Sequence, residues 1–126
     1  VTVSVLYWRL STTAMAANDD GYEDRFMLAA LEEAKAALDA GEVPVGCVFV
    51  RAGDIIARGH NLTNAGLNAL EHAELVALAA YDADVRAGKR PAPSASPDLD
   101  MATATLPLED VTLYVTVEPC LMCGAA

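Results

Sequence analysis

The sequence has few positive charges. Its 126 residues include 8 Lys and Arg against 18 Asp and Glu, which gives a formal net charge of −10. A chain with this balance repels polyanions on average and cannot by itself supply the basic surface that neutralises phosphate groups. Any role on a nucleic acid therefore calls for a basic partner subunit.

Long apolar runs and regular cysteine pairs are also missing. No run approaches the roughly 20 residues that span a bilayer, so the sequence predicts no membrane segment. The three cysteines are an odd number and do not form a disulfide framework, which favours a reducing compartment and thiolate chemistry on a metal or in redox. A composition of 54% hydrophobic and 21% charged residues predicts one folded globular domain.

A tail is expected ahead of that domain. Residues 1–18 are predicted to be disordered or non-native, because VTVSVLYWRLSTTA has no acidic residue and Met15 is a plausible start. Residues 19–126 are predicted to form the domain, beginning with an amphipathic helix capped by Asp19 or Asp20. Apolar residues recur on this helix at helical spacing: Met27, Leu31, Ala34 and Leu38.

The remaining elements alternate between strand and helix. GCVFV and IIARG predict two strands, of which the first is apolar on both faces and therefore central. EHAELVALAAYDADVRAG predicts a second helix, and residues 88–108 predict a Pro-rich insertion. VTLYVTV predicts a further strand, after which Pro119 indicates the start of a third helix. This order favours an α/β fold.

A Cys-x-x-Cys pair lies on the predicted third helix. Cys120 and Cys123 share one face of a helix, so both sulfurs can reach one ion. The positive end of the helix dipole lowers a thiol pKa and favours the thiolate that binds metals. Taken alone, the motif is also consistent with a redox dithiol of the thioredoxin type, and a structural zinc site would need two further ligands.

His72 and Glu74 open the predicted second helix. Residues two apart on a helix point to opposite sides, so these side chains converge only on a site beyond the helix end. Alone, the pattern is also consistent with a surface or core histidine. One imidazole and two thiolates, however, leave the fourth position of tetrahedral zinc open to water, as catalytic sites do. Zinc makes that water acidic near neutral pH, and Glu74 suits the role of proton shuttle.

H-x-E followed by P-C-x-x-C is a known signature of zinc-dependent base deaminases. Together with GEVPVGCVFV (41–50), GHN (59–61), NALEHAEL (68–75) and LYVTVEPCLMC (113–123), it makes the chain resemble the cytidine deaminase-like superfamily. Within it, the chain is most similar to tRNA wobble adenosine deaminases of the kind found as the catalytic subunit of the eukaryotic heterodimer.

The resemblance implies a three-layer α/β/α domain around a mixed sheet. Three strands are expected in this chain, while the last two strands and the C-terminal helices of similar proteins are missing. The strand VTLYVTV would then have an unpaired edge.

The resemblance also assigns roles to individual residues. It implies that His72, Cys120 and Cys123 hold Zn²⁺ and that Glu74 is the catalytic proton shuttle. It further implies two substrate-binding residues, Asn61 against the flipped nucleoside and Val45 in the apolar wall of the pocket. The residues themselves predict only a turn or cap role for Asn61 and a core role for Val45. Cys47 is expected to be a buried strand residue, and His60 is not expected to be a ligand.

The function implied is that of a hydrolase that deaminates adenosine to inosine at the wobble position of tRNA anticodons. The implied partners are tRNA and a homologous non-catalytic subunit, in the cytoplasm or the nucleus. Leu70 and Glu71 depart from the family, which commonly has Thr-Arg before HAE. Two alternatives stay open: a deaminase of a free base or nucleotide of the cytosine, guanine or dCMP type, and a truncated, non-catalytic zinc-binding subunit.

Overall fold

The structure is a computed structural model that describes residues 2–5, 23–90 and 110–125. The elements in these residues follow one another as β1 (Thr2–Val5), α1 (Asp24–Asp39), β2 (Gly46–Arg51), β3 (Asp54–His60), α2 (Ala73–Arg86), β4 (Val111–Val115) and α3 (Leu121–Gly124). The α/β class and the predicted order of elements from α1 to α3 are confirmed. Most of the Pro-rich insertion predicted at 88–108 lies outside the described residues.

The described strands form one mixed sheet in the order β1-β4-β2-β3. β2 is antiparallel to both β3 and β4, and β1 is parallel to β4 along residues 112–115. The expectation of three strands and an unpaired β4 edge was therefore wrong. Thr2–Val5 also differ from the disordered tail expected at 1–18, of which the other residues lie outside the described part. The sequence TVSV is rich in β-branched residues, and the β4 edge offers it backbone partners.

α1 and α2 cover opposite faces of the sheet and complete the three-layer architecture. β2 is buried on both faces: Val48 and Val50 pack toward α1, whereas Cys47 and Phe49 pack in the cluster that includes α2. The expected central position of this strand is confirmed. Apolar side chains on both faces of one strand thus link the two halves of the core.

Each helix approaches the sheet closely at one glycine. A Cβ placed on Gly46 would collide with the backbone of Ala30 and Ala34 in α1, and one on Gly59 would collide with Ala73 and Ala77 in α2. Small residues on both sides of these contacts let the backbones come together. This close approach fixes where the first turn of α2 lies relative to the end of β3.

The buried face of α1 differs from the predicted one. Met27 and Ala34 are buried as expected, but Leu31 and Leu38 are 41% and 60% exposed. The buried residues of α1 are four alanines and two large side chains: Phe26, Met27, Ala29, Ala30, Ala34 and Ala37. The caps predicted at Asp19 and Asp20 lie outside the described residues, and α1 begins at Asp24.

No helix in the described ranges is long and apolar enough to cross a membrane.

Candidate metal centre

The candidate site lies at the end of the sheet where β3 and β4 finish and β2 begins. Here the Gly46 N–H donates to Thr116 Oγ1 over 3.1 Å and Thr116 N–H donates to the Gly46 carbonyl over 3.1 Å. Asn61 N–H donates to the Val45 carbonyl over 3.2 Å. α2 and α3 both start at this end, so their N-termini, with their partial positive charge, face one region.

The three predicted ligands meet in this region. His72 Nδ1 lies 3.6 Å from Cys120 Sγ and 3.6 Å from Cys123 Sγ, and one ligand atom from each of the three residues lies within 4.8 Å of the others. Tetrahedral zinc, with Zn–S near ~2.3 Å and Zn–N near ~2.0–2.1 Å, requires nitrogen and sulfur roughly 3.5 Å apart. The donor types and the nitrogen–sulfur distances therefore both fit a zinc ion.

The backbone explains how His72 and Glu74 serve one site although they are only two residues apart. His72 is the N-cap of α2 with φ −73° and ψ 154°, so its backbone is extended and not helical. Glu74 lies in the first turn and is 5% exposed. Because His72 precedes the helix, the rule that residues two apart diverge does not apply to it.

The two thiols differ in acidity. The hydrogen bond from the Cys123 backbone N–H lowers the pKa of Cys120. Burial, followed by the charge of Glu74 and a hydrogen bond with Cys120, raises the pKa of Cys123 to about 12. The thiols of Cys120 and Cys123 need a nearby cation if both are to be thiolates at neutral pH. A divalent metal supplies that charge. The chemistry of the donor set thus agrees with its geometry.

The two residues assigned to substrate binding flank this site. Asn61 is 8% exposed, and its Oδ1 accepts a hydrogen bond of 3.0 Å from the Ala73 N–H. This is the cap role that the residue type predicts, because it satisfies a free N–H at the start of α2. Val45 is half-buried and packs against the core cluster on the α2 side.

The other predicted residues take up different positions. Cys47 is fully buried in β2, and burial, with the charges of Glu74 and Glu33, raises the pKa of its thiol. His60 lies at the end of β3 with Nδ1 2.9 Å from Glu33 Oε2 on α1. Cys47 is therefore a core residue, as expected, and His60 is engaged with α1.

Sequence reasoning missed one carboxylate near the site. Glu42 is 4% exposed and accepts hydrogen bonds from residues 63–65. The signal available was an acidic residue in an otherwise apolar stretch, GEVPVG, between a helix and a buried strand. Ionised carboxylates in such places are buried only with hydrogen-bond partners, which the sequence did not identify.

An α/β/α domain with one imidazole and two thiolates at two helix N-termini, and a buried carboxylate beside them, defines a metal centre of the catalytic type. Residues 21–126 match the family model described as the cytidine and deoxycytidylate deaminase zinc-binding region. The chain belongs to this family, and its metal is zinc.

The chain is also similar to individual proteins of known name. Over 107 residues the chain is 40% identical to the tRNA-specific adenosine deaminase subunit tad2 of Schizosaccharomyces pombe, covering 85% of the chain and 23% of that protein. A solved structure from a study of A-to-I editing by tRNA:A34 deaminases at the wobble position has a TM-score of 0.58 and 32% identity, covering 81% of the chain and 65% of that structure.

A guanine deaminase from Bacillus subtilis has a TM-score of 0.57 and 30% identity, covering 82% of the chain and 55% of that structure. The chain spans less than two thirds of the length of each of these three proteins.

Proposed function

We propose that the chain carries the catalytic centre of a zinc-dependent hydrolase that converts adenosine to inosine at the wobble position of tRNA anticodons. The observation that carries this proposal is the meeting of His72, Cys120 and Cys123, with the buried carboxylate of Glu74 in the first turn of α2. The 40% identity to a tRNA-specific adenosine deaminase subunit supports tRNA as the substrate.

In the proposed site, His72, Cys120 and Cys123 would hold zinc as its three protein ligands. When bound, zinc supplies the Lewis acidity that lowers the pKa of water to about 7. Glu74 would transfer one proton of the attacking water to the ring nitrogen and the other to the C6 amine, whose C–N bond breaks as ammonia leaves, so that adenosine and water give inosine and ammonia. Burial keeps the Glu74 carboxylate out of bulk water and close to Cys123.

Asn61 and Val45 form the substrate side of the proposed pocket. The Oδ1 atom of Asn61 is already used by the Ala73 N–H, so its amide Nδ2 is the group that would donate to the nucleoside. Val45 presents a half-buried apolar side chain for the base. The base must leave its stack to reach this position.

A net charge of −10 supports a basic partner. The chain itself lacks the excess of Lys and Arg that holds a polyanion, so the phosphates of tRNA would be bound by a second, homologous subunit in a heterodimer. Such a complex would act in the cytoplasm or the nucleus.

The exchange of Glu74 for Gln tests the catalytic assignment. We expect Glu74→Gln to retain zinc and to lower turnover by about 100- to 10,000-fold, because it removes the proton shuttle and leaves the three ligands in place. Cys120→Ser is the matched variant, in which zinc and activity should be lost together. Metal content by elemental analysis and inosine in tRNA by sequencing give the two measurements. Full activity of Glu74→Gln would refute the assignment.

A second candidate is a deaminase of free bases, which the acidic charge and the 30% identity to guanine deaminase both favour. Ammonia release from guanine, cytosine and dCMP separates the two candidates. Release from these compounds without inosine in tRNA would replace the tRNA proposal by this one. Zinc binding without turnover on either substrate class would identify a non-catalytic zinc-binding subunit.

A further inference from the structure

A second buried carboxylate lies outside the metal ligands, on the connection between α1 and β2. Glu42 Oε1 accepts from the Ala65 N–H over 2.7 Å and from the Asn64 N–H over 3.0 Å. Its Oε2 accepts from Thr63 Oγ1 over 3.2 Å and from the same Asn64 N–H over 3.0 Å. One side chain thus binds three successive residues of a segment more than 20 positions further along the chain.

That segment is the loop of residues 61–72, which joins β3 to α2. It begins with Asn61, a proposed substrate contact, and ends with His72, a proposed ligand. Its two ends are tied together by the bond from Leu62 N–H to the Glu71 carbonyl, 3.0 Å long. Apart from the Glu42 contacts, the first half of the loop meets the α1–β2 connection at two points: Asn64 Nδ2 donates to the Gly41 carbonyl, and Asn61 N–H donates to the Val45 carbonyl.

The charge of Glu42 makes these bonds stronger than ordinary turn contacts. Burial raises the pKa of the Glu42 carboxyl, but the N–H groups of Asn64 and Ala65 and the Thr63 hydroxyl outweigh this effect, and the net pKa is lowered. The group is therefore ionised at neutral pH, and hydrogen bonds to an ionised acceptor are roughly twice as strong as neutral ones.

The position of Asn61 depends on the α1–β2 connection and on the loop of residues 61–72. Its N–H donates to the carbonyl of Val45, three residues after Glu42, and its Oδ1 accepts from Ala73. The bonds to residues 63–65 begin two residues after Asn61. A loop released from Glu42 would therefore be disturbed first next to Asn61, because residues 63–65 are two to four positions from Asn61 and seven to nine from His72.

We propose that Glu42 is a positioning residue that holds the loop of residues 61–72 on the α1–β2 connection, and so places Asn61 and Val45 as the substrate side of the metal centre. This inference rests on the proposed deaminase function, because that function makes Asn61 and Val45 substrate contacts. It adds a buried carboxylate that touches neither substrate nor metal and acts through Asn61.

The test compares Glu42→Gln with Glu32→Gln, which makes the same change of charge at an exposed position on α1. In Glu42→Gln, we expect faster hydrogen exchange at the amides of Asn64, Ala65 and Ala73, the last because its acceptor is Asn61. For deamination we expect KM to rise about tenfold with kcat nearly constant, and zinc affinity, measured by chelator competition, to change less than twofold. Glu32→Gln should match the parent protein in all of these.

Each alternative outcome has a distinct meaning. Unchanged exchange at Ala73, or a KM equal to that of Glu32→Gln, would overturn the positioning role, as would loss of zinc in proportion to activity. If Glu42→Gln does not fold, Thr63→Val removes a single hydroxyl donor and should give the same changes on a smaller scale. An inactive parent protein would refute the proposed function instead, and exchange at Ala73 would still decide whether Glu42 positions Asn61.

Discussion

The two thiols of the candidate metal centre bind their protons with different strengths. The pKa of Cys120 is lowered by the Cys123 N–H, whereas burial and Glu74 raise that of Cys123 to about 12. The two cysteines are three residues apart, Cys120 as the N-cap of α3 and Cys123 within it, so the difference comes from their surroundings and not from their chemistry. Metal binding must therefore displace the Cys123 proton throughout the physiological range.

Zinc affinity should consequently rise with pH. At a pH below the lowered pKa of Cys120, zinc binding displaces the protons of both thiols. Between that pH and about 12, it displaces only the proton of Cys123. Each displaced proton changes the apparent affinity about tenfold for each pH unit. Competition with a chromogenic chelator between about pH 6 and about pH 8 measures this slope. An affinity that is constant over this interval would contradict the assignment of Cys123 as a thiolate ligand.

At the scale of elements, the site is positioned by the close approach of helices to the sheet. Gly46 lies against α1 and Gly59 against the first turns of α2, next to the ends of the strands that border the metal centre. Any side chain at these positions would push a helix away from the sheet. The glycines therefore link the packing of the layers to the geometry of the ligands.

We expect Gly46→Ala and Gly59→Ala each to lower the free energy of unfolding by about 1–3 kcal/mol, because the added methyl group meets helix backbone that cannot rotate away. Urea denaturation measures the loss. Gly124→Ala is the matched control, since a Cβ there meets nothing within 4 Å. Equal stability of all three variants would show that the layers can separate at no measurable cost.

The elements with strong periodicity could be predicted from the sequence, and those that depend on distant partners could not. The apolar runs of β2 and β4 and the HAE motif marked their positions directly. The exposure of Leu31 and Leu38 did not follow from spacing, because α1 packs through alanines on an adjacent face. Likewise, the partners of Glu42 lie in a loop that only folding brings near it. The meeting of His72, Cys120 and Cys123 could be predicted because their residue types, together with the resemblance to a known family, point to one metal centre.

At the scale of the whole molecule, the N-terminal strand extends the described sheet beyond β4. β1 is far from β4 in the sequence, yet it pairs with residues 112–115 and covers an edge that would otherwise be open. β4 is also the strand that leads into Cys120. The start of the chain is therefore connected, through a single strand, to the segment that carries two of the proposed ligands.

Removal of residues 1–5 should lower stability and promote association between copies, because it exposes the backbone of β4 along an apolar strand. Urea denaturation and sedimentation velocity, compared with the full chain, measure the two effects. A shortened chain that is as stable as the full one and stays monomeric would show that β1 contributes nothing to the sheet.

His72 and Cys120 are 48 positions apart in the chain. An ion bound to both would work as a cross-link, enclosing α2 and β4 in one closed loop. Because the three donors meet only in the folded chain, metal at about 100 times its Kd would stabilise the fold by about 2.7 kcal/mol. The zinc cofactor would then also stabilise the fold, so that scarcity of metal would lower the amount of folded protein as well as its activity.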